Sequence, residues 1–378
     1  MYPVLLIAMV SGAAAGSALA GELFALRPGQ VHYLVDVNGD GDYFDFNESR
    51  LFADGLPVTA AAISSTAESV FVLDPTSRTI IRLRDENGDF DALDFGEILA
   101  FAELPAGPAG PTAIVSAGDD ALFVADSGCG CVYAVRDLNH DGDALDALEV
   151  MIVANGLTSP QSIALRPDGA MLVAQQSLQV PVRILEDRNA DGDFLDFAEN
   201  ISYAENFAAG TAICAESTAR SLLLRPGDGT LQLLDDLTGD NDALDFAEVR
   251  LYAEGLSSAS ALAATPDGAF VARTGAAGGI WRVRDLNADG DALDFGEVLM
   301  VASSLTDIRG LALRSATVPC MKGDVDANGV VNIADISPMV NVLLGIVVPA
   351  DPCPLDVNDD GLLDGRDVQA FVVELMGG

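Results

Sequence analysis

The chain has 378 residues, of which 50% are hydrophobic and 20% are charged, so it can bury a large core and does not have the composition of a disordered protein. Its 58 acidic residues outnumber the 19 basic ones and give a formal net charge of -39. This charge argues against nucleic acid and anionic membranes as partners, because both would repel the protein.

The N-terminal twenty residues predict a secretory signal peptide. An apolar run over residues 4–10 precedes a tract of small residues that ends at Ala20. This pattern is typical of a signal that is cleaved before Gly21, and the run is shorter than the roughly 20 apolar residues of a transmembrane helix. No later segment predicts a membrane span. We therefore expect residues 1–20 to be removed and the protein to be secreted, remaining extracellular or on the cell surface.

One acidic phrase of thirteen residues occurs six times, and its last copy reads DLNADGDALDFGE. The six copies begin at Asp36, Asp85, Asp137, Asp187, Asp236 and Asp285. Successive copies start 49, 52, 50, 49 and 49 residues apart. A fixed period in this range indicates a repeat architecture, in which one supersecondary unit is stacked or arranged around an axis.

Short apolar runs alternate with turn signals between the acidic phrases. The fourth unit contains SIALRP, a turn at Asp168-Gly169, AMLVAQQ, VPVRILED, the acidic phrase and NISYAEN. Four short strands spaced by about 8–12 residues predict antiparallel β structure, with the acidic phrase joining the third strand to the fourth. Six such repeats predict an all-β fold, a six-bladed β-propeller over residues 21–316.

The ends of the repeat array predict a closed ring. The first unit has only three strands, and one spare segment, Arg309–Arg314, follows the sixth unit. That segment would complete the first blade and remove the free sheet edge, whereas the alternative, an open solenoid, would need polar caps and no spare strand. In strand pattern and PDG turns, the units resemble six-bladed propellers of the NHL-repeat and TolB-like kind, which implies the same fold.

Side chains with oxygen ligands occupy positions 1, 3, 5, 7, 10 and 13 of every phrase, and position 6 is usually glycine. This alternation around a sharp turn is typical of an EF-hand-like calcium loop, although an EF-hand closes with an acid at position 12. We therefore predict a calcium-binding hairpin loop in each blade, and six identical placements disfavour the alternative of a solvated acidic hairpin. The predicted ligands are Asp36, Asn38, Asp40, Asp42, Asp45, Glu48, Asp85, Asn87, Asp89, Asp91, Asp94, Glu97, Asp137, Asn139, Asp141, Asp143, Asp146, Glu149, Asp187, Asn189, Asp191, Asp193, Asp196, Glu199, Asp236, Thr238, Asp240, Asp242, Asp245, Glu248, Asp285, Asn287, Asp289, Asp291, Asp294 and Glu297.

Three structural expectations concern these loops. Positions 10 and 13 would share a face if the segment between them makes one helical turn. The apolar residues at position 9, and usually 11, would point back into the blade. The sites of the second and fifth blades would be the weakest, because Phe90 and Asn241 replace the turn glycine there.

Two further acidic loops near the C-terminus are GDVDANGVVNIAD and LDVNDDGLLDGRD; counted from Asp324 and Asp356, they have ligand residues at positions 1, 3, 5, 9 and 12 and glycine at 6. Each precedes an apolar stripe with the i, i+3, i+4, i+7 spacing of an amphipathic helix. Over residues 320–378 this duplication resembles a type I dockerin, which implies a small all-α domain with paired EF-hand-like loops and a cohesin-like protein as partner. The predicted ligands are Asp324, Asp326, Asn328, Asn332, Asp335, Asp356, Asn358, Asp360, Asp364 and Asp367.

The residue pairs that precede the last ligand of each C-terminal loop depart from the family. They are Ile333-Ala334 and Gly365-Arg366, where cellulosomal dockerins often have Ser-Thr, so a standard cellulosomal cohesin is not the expected partner.

The five cysteines fall into three groups. Cys320 and Cys353 occupy corresponding places before the two C-terminal loops, so the two-fold symmetry of the module predicts a disulfide between them, which export permits. Cys214, on an inner strand, predicts a buried thiol. The states of Cys129 and Cys131, which flank a glycine in a turn, stay open.

The sequence shows no catalytic constellation near the predicted axis. The innermost strands begin with Thr59, Thr112, Gln161, Thr211, Ser260 and Arg309. No carboxylate pair, histidine cluster or G-x-S-x-G motif is visible for catalysis. We predict a secreted propeller that binds up to eight Ca²⁺ ions, is attached through its dockerin to a cohesin, and acts as a binding or structural module with a glycan or a protein as candidate ligand. The alternative is a carbohydrate-active or lactone-processing enzyme with an axial site, linked to polysaccharide catabolism only by analogy with other dockerin-bearing proteins.

Overall fold

The chain divides into two compact units, Met1–Ser315 and Ala316–Gly378. The computed structural model describes residues 22–314 except 109, 119–120, 190, 266–267, 276–277 and 304, and also residues 323, 336, 339–340, 355, 357, 366–368 and 371–372. The predicted signal peptide, both predicted disulfide cysteines and nearly all of the predicted C-terminal ligands therefore lie outside the described residues.

The described part of the first unit folds into six antiparallel sheets of four strands each, which confirms the predicted six-bladed β-propeller. The strands are β1 (Leu23–Arg27), β2 (Gln30–Leu34), β3 (Ser49–Ala53), β4 (Ala62–Ser65), β5 (Val70–Asp74), β6 (Thr79–Leu83), β7 (Ile98–Glu103), β8 (Pro111–Gly118), β9 (Ala121–Asp126), β10 (Cys131–Arg136), β11 (Val150–Ala154), β12 (Pro160–Leu165), β13 (Met171–Gln175), β14 (Val182–Leu185), β15 (Asn200–Ala204), β16 (Ala212–Ala215), β17 (Arg220–Arg225), β18 (Thr230–Asp235), β19 (Val249–Ala253), β20 (Ala259–Thr265), β21 (Gly268–Arg273), β22 (Gly279–Val283), β23 (Val298–Ala302) and β24 (Gly310–Leu313).

The ring is closed by the last strand, as the spare segment predicts. Blade 1 has the strand order β24-β1-β2-β3, and each later blade takes the next four strands of the chain. Strand β24 pairs antiparallel with β1, with Leu313 opposite Leu23 and Gly310 opposite Leu26. Because this pairing covers the inner edge of β1, blade 1 is completed by residues from both ends of the propeller.

The hydrophobic core consists of six clusters, each lying between two neighbouring blades of the described propeller. The cluster between blades 2 and 3, for example, contains Phe71, Phe101 and Val124. Phe71 and Phe101 make an edge-to-face contact with ring centroids 5.0 Å apart. Because every cluster uses side chains from two blades, no blade can bury its apolar faces alone.

The third and fourth strands of every blade share one irregularity in register. The shift lies between Val31 and His32 in blade 1 and between Ile80 and Ile81 in blade 2, and the other four blades have it in the same pairing. A β-bulge increases the local twist of a strand pair and redirects the strand beyond it. The acidic loops therefore leave and re-enter sheets of the same shape.

Among the described residues, each half of the second unit has one buried and two exposed positions of its predicted apolar stripe. Met339 and Phe371, which correspond between the halves, are 2% and 4% exposed. Their neighbours Ile336, Val340, Val368 and Val372 are 40–45% exposed, and all six have helical backbone. The paired loops and the all-α arrangement as a whole remain predictions.

Candidate metal centres in the blade loops

Two carboxylates close each acidic loop by accepting backbone N–H groups. In blade 6, Glu297 accepts from the amide of Leu286 at 2.8 Å and from that of Asp294 at 2.9 Å. Asp285 accepts from the amide of Gly290 at 2.9 Å. The position-13 glutamates are at most 3% exposed in all six blades, so they are built into the blade. They are Glu48, Glu97, Glu149, Glu199, Glu248 and Glu297.

The side chains at positions 3, 5 and 10 converge on one point of the loop. In blade 6, Asn287 Nδ2 donates to Asp289 Oδ2 at 3.0 Å and to Asp294 Oδ2 at 2.6 Å. The same pair of bonds occurs in blades 1, 2, 3 and 4. A half-turn of the amide would place Oδ1 where Nδ2 lies, at the cost of the bond that Asn287 Oδ1 accepts from the Asp289 amide at 3.0 Å, and these residues would then present three oxygens to one cation.

One group of predicted ligands is already close enough for a metal ion. Among the described residues, oxygens of Asp36, Asp40 and Glu48 lie within 4.8 Å of one another. The position-7 aspartates instead face their own turn, as Asp291 does in accepting the Leu293 amide at 3.0 Å. The structure therefore brings together the side chains at positions 1, 5 and 13 in blade 1, and those at positions 3, 5 and 10 in five blades.

The pKa values of three loop carboxylates are shifted. Burial and neighbouring carboxylates raise the pKa of Asp91 and Asp242, at position 7 of blades 2 and 5, although a backbone amide partly opposes the rise. For Asp285, burial also raises the pKa, but backbone N–H donors such as that of Gly290 lower it more, so the net shift is downward. These backbone donors therefore favour the charged form of Asp285.

Positions 10 to 13 form a reverse turn, so the expected helical turn is wrong. The Glu297 amide donates to the Asp294 carbonyl at 3.3 Å, and the equivalent bond occurs in every blade. The residue at position 12 has a positive φ in all six loops, which ends any helical path and is typical of the third residue of a type II turn. These residues are Asn47, Gly96, Leu148, Ala198, Ala247 and Gly296.

The apolar residue that enters the blade is at position 8, so the expectation for positions 9 and 11 is wrong. The position-11 phenylalanines are at least 91% exposed, because they occupy the corner of the turn, and the position-9 residues are 43–52% exposed. Position 8 is at most 7% exposed in every blade. The buried residues are Tyr43, Ala92, Ala144, Phe194, Ala243 and Ala292, and the exposed phenylalanines are Phe46, Phe95, Phe197, Phe246 and Phe295.

Position 8 also joins each loop to the preceding blade. The amide of Ala292 in blade 6 donates to the carbonyl of Tyr252 in β19 of blade 5 at 2.7 Å. Equivalent bonds of 2.7–2.8 Å occur at all six junctions, including Tyr43 to Val301 between blades 1 and 6. The acidic loops therefore connect neighbouring blades by hydrogen bonds, which the sequence did not indicate.

An arginine of the preceding blade lies against position 6 of the loops. A Cβ at Gly142 would lie 3.6 Å from Arg82 Nη2. Where the glycine is replaced, Arg50 stacks 5.8 Å from the Phe90 ring, and Arg166 Nη1 donates to Asn241 Oδ1 at 2.7 Å.

Phe90 and Asn241 preserve the turn that glycine makes elsewhere. Both have positive φ, and both amides still bond to the position-1 aspartate, at 2.8 and 3.0 Å. The weaker calcium binding expected for these two blades stays a prediction. The contacts between these arginines and the neighbouring loops were not predicted from the sequence. One signal was present, because all of the 19 basic residues except Lys322 are arginines.

The propeller axis contains a cavity of about 440 Å³ lined by the six innermost strands. Among its described lining residues there is no Asp, Glu or His, and Arg309 is the one charged residue. Arg309 Nη1 donates to the carbonyls of Val58 and Ala60. The hydroxyls of Ser64 and Ser116 bond to each other at 3.0 Å across blades 2 and 3. These polar groups hold neighbouring blades together.

The described cysteines comprise one disulfide and one thiol. Cys129 and Cys131 are bonded to each other, which settles the state that the sequence left open. Cys214 is a buried free thiol, which confirms the prediction. The predicted bond between Cys320 and Cys353 lies outside the described residues.

Comparison with known proteins assigns the C-terminal segment and the fold. Residues 322–374 match the family model of the dockerin type I domain, so the chain carries a type I dockerin. No curated protein matches the chain.

Two solved structures are similar to this chain. The structure titled as a nidogen/laminin complex is 13% identical with a TM-score of 0.56, and the match covers 77% of this chain and 97% of that one. The virginiamycin B lyase of Staphylococcus aureus is 13% identical with a TM-score of 0.44, over 65% of this chain and 71% of that one. The first likeness concerns the fold alone, and the NHL-repeat and TolB-like resemblance stays a prediction.

None of the helices among the described residues is long and apolar enough to cross a membrane.

Proposed function

We propose that the protein is a secreted calcium-binding propeller, attached through its dockerin to a cohesin-bearing scaffold or cell surface, where the propeller acts as a binding or structural module. The match of residues 322–374 to the dockerin type I domain carries this proposal. A dockerin binds calcium and has a cohesin as its partner, and proteins with this domain are typically extracellular. The predicted signal peptide at residues 1–20 agrees with that location.

The acidic loops support calcium as the ligand of the propeller. Their side chains offer carboxylate, amide and hydroxyl oxygens, which suit Ca²⁺ better than softer metals. At least five carboxylates share each thirteen-residue loop, and a divalent cation would relieve their repulsion. Six propeller ions and two dockerin ions would add 16 positive charges to the formal net charge of -39 and so make the protein less negative. The domain limits that we propose are 21–316 for the propeller and 320–378 for the dockerin.

The axial cavity favours a binding or structural role over the enzyme alternative. A carbohydrate-acting enzyme would need at least two carboxylates converging there, and the described lining residues supply none. The hydroxyls of Ser64 and Ser116 are engaged with each other and not turned to a ligand. A glycan array with the full chain would test the remaining candidate, a glycan ligand of the propeller.

Calorimetric titration of the metal-free full-length protein with Ca²⁺ tests the metal assignment. We expect a stoichiometry near eight. A value near two would confine calcium to the dockerin and contradict the assignment for the propeller.

Surface plasmon resonance against a panel of immobilised cohesins, including cohesins from outside cellulosomes, tests the attachment. Binding to at least one of them should occur in Ca²⁺ and disappear in EDTA. A double Asp324→Ala, Asp356→Ala variant should lose binding, because it removes the first ligand of both dockerin loops. Asp289→Ala, a matched change in a propeller loop, should keep it. Binding that survives in the double variant would contradict the assigned attachment route.

A further inference from the structure

Asp137 differs from the position-1 aspartates of the other five loops. Its Oδ2 accepts the amide of Gly142 at 2.9 Å, but its Oδ1 has no hydrogen-bond partner. In each of the other loops, the corresponding Oδ1 accepts at least one backbone amide. Asp137 is only 4% exposed, so solvent does not satisfy this oxygen. A buried carboxylate oxygen without a partner is costly, and a cation would satisfy it.

The loop around Asp137 supplies further oxygens for a cation. Asn139 Nδ2 donates to Asp141 Oδ2 at 3.0 Å and to Asp146 Oδ2 at 2.8 Å, so these two carboxylates face a common point. A half-turn of the Asn139 amide would break the bond that its Oδ1 accepts from the Asp141 amide at 3.0 Å and would place an acceptor at that point. Glu149 is occupied by the amides of Leu138 and Asp146, at 2.9 and 2.8 Å, and fixes the loop around the others.

We propose that the loop of blade 3 is the tightest calcium site of the propeller, and that its ion locks blade 3 to blade 2. The inference deepens the proposed function and rests on calcium binding by the acidic loops. Asp137 Oδ1 needs to break no hydrogen bond to receive the ion, and its desolvation has already occurred on folding. Binding energy is therefore not spent on rearranging this ligand.

The competing site is the loop of blade 1, where oxygens of Asp36, Asp40 and Glu48 already lie within 4.8 Å. Both oxygens of Asp36 accept backbone amides, from Gly39 at 2.6 Å and from Gly41 at 3.0 Å. The close approach is thus maintained by hydrogen bonds that a metal ion would have to share. This difference makes the two loops a matched pair for an experiment.

The blade 3 loop is physically coupled to blade 2. The amide of Ala144 donates to the Phe101 carbonyl at 2.7 Å, and Ala144 forms an isolated parallel bridge with Ala102. Arg82 of blade 2 lies over the Phe101 ring at 5.8 Å and against Gly142 of the loop. An ion that fixes the loop would therefore slow local opening of this junction.

Chelator-competition titration of the full-length protein, with Asp137→Asn and Asp36→Asn as the matched variants, tests the order of affinity. We expect Asp137→Asn to weaken the tightest propeller site at least tenfold, and Asp36→Asn to remove a weaker one. Hydrogen–deuterium exchange gives the local readout. Calcium should slow exchange in the peptide containing Ala144 in the wild type and in Asp36→Asn, but not in Asp137→Asn. Asp141→Asn, at an exposed residue of the same loop, serves if Asp137→Asn does not fold.

The outcomes separate this inference from the proposed function. Loss of the tightest site in Asp36→Asn, or equal affinity at all six loops, would overturn the inference and leave calcium binding by the propeller intact. Calcium binding without slower exchange at Ala144 would overturn the proposed lock. A wild-type protein that takes up calcium only in its dockerin would defeat both.

Discussion

The backbone amide of Ala144 donates to the carbonyl oxygen of Phe101 at 2.7 Å and so ties the acidic loop of blade 3 to the outermost strand of blade 2. The side chain of Ala144 is 1% exposed and belongs to the hydrophobic cluster between these blades. The same relationship recurs at every junction, so each loop of predicted metal ligands also makes contacts that close the ring.

Enlarging Ala144 should therefore destabilise the propeller. Ala144→Leu forces extra methylene groups into a filled interblade space and should lower the free energy of unfolding by about 1–3 kcal/mol. Ala147→Leu, three residues later at the exposed turn corner, should change it by less than about 0.5 kcal/mol. Urea denaturation measures both, and equal effects would contradict the burial of position 8.

Removing a phenylalanine side chain should destabilise the propeller strongly at position 8 of the acidic phrase and very little at position 11. Phe194 at position 8 is 7% exposed, whereas Phe295 at position 11 is fully exposed. Phe194→Ala should cost about 3–5 kcal/mol through lost burial and a cavity, and Phe295→Ala less than about 0.5 kcal/mol. Thermal melting of the two variants checks this, and a strongly lowered Tm for Phe295→Ala would show that its ring is packed.

Removal of calcium should lower the melting temperature of the propeller. Binding to the native state alone adds RT ln(1 + [Ca]/Kd), which at extracellular calcium is somewhat over 1 kcal/mol for a site of about 0.1 mM affinity. Melting in EDTA and again after adding back Ca²⁺ gives the difference. Mg²⁺ is the control, since it demands smaller and stricter octahedral geometry and should restore less. An unchanged Tm in EDTA would contradict calcium binding by the folded propeller.

Breaking the buried ion pair between blades 2 and 3 should be costly. Arg78 Nη2 lies 2.7 Å from Asp126 Oδ2, with side chains 9% and 2% exposed. Arg78→Met leaves the Asp126 charge uncompensated and should cost about 3–5 kcal/mol. The double variant Arg78→Met, Asp126→Asn removes that charge and should recover part of the loss in denaturant melts. A double variant as unstable as the single one would indicate that the lost stability comes from the packing of Arg78 and not from the uncompensated charge of Asp126.

Asp74 should make the propeller less stable in acid. Burial raises its pKa, but hydrogen bonds from the side chains of Ser77 and Thr59 and from nearby backbone amides lower it more, so the net pKa lies below the ordinary value of 3.8. A carboxylate with a lowered folded pKa contributes stability above its unfolded pKa and loses it as the pH falls through the folded one. Stability measured from about pH 5 to 2 should therefore fall less steeply in Asp74→Asn. Parallel curves for the two proteins would contradict the prediction.

The repeat period, the strand number and the closing strand could all be predicted from the sequence. The fixed spacing of the acidic phrases counted the blades, and the spare segment before Arg314 indicated how blade 1 is completed. These features depend on residue order alone, because antiparallel strands joined by short turns must pair with their neighbours. The buried thiol of Cys214 followed from its place in an apolar strand in the same way.

The direction of the loop side chains was decided only by the tertiary structure. Positions 8 and 11 of the phrase are both apolar in every blade, and the sequence does not say which one is buried. The turn with positive φ at position 12 projects Phe295 into solvent, while the bond from Ala292 to Tyr252 turns position 8 toward the preceding blade. The interblade arginines and the unpaired oxygen of Asp137 are likewise contacts between residues distant in the chain or products of local loop geometry. Residue types determine which oxygens are available to a metal ion, and the hydrogen bonds of each folded loop decide which of them stay free to bind it.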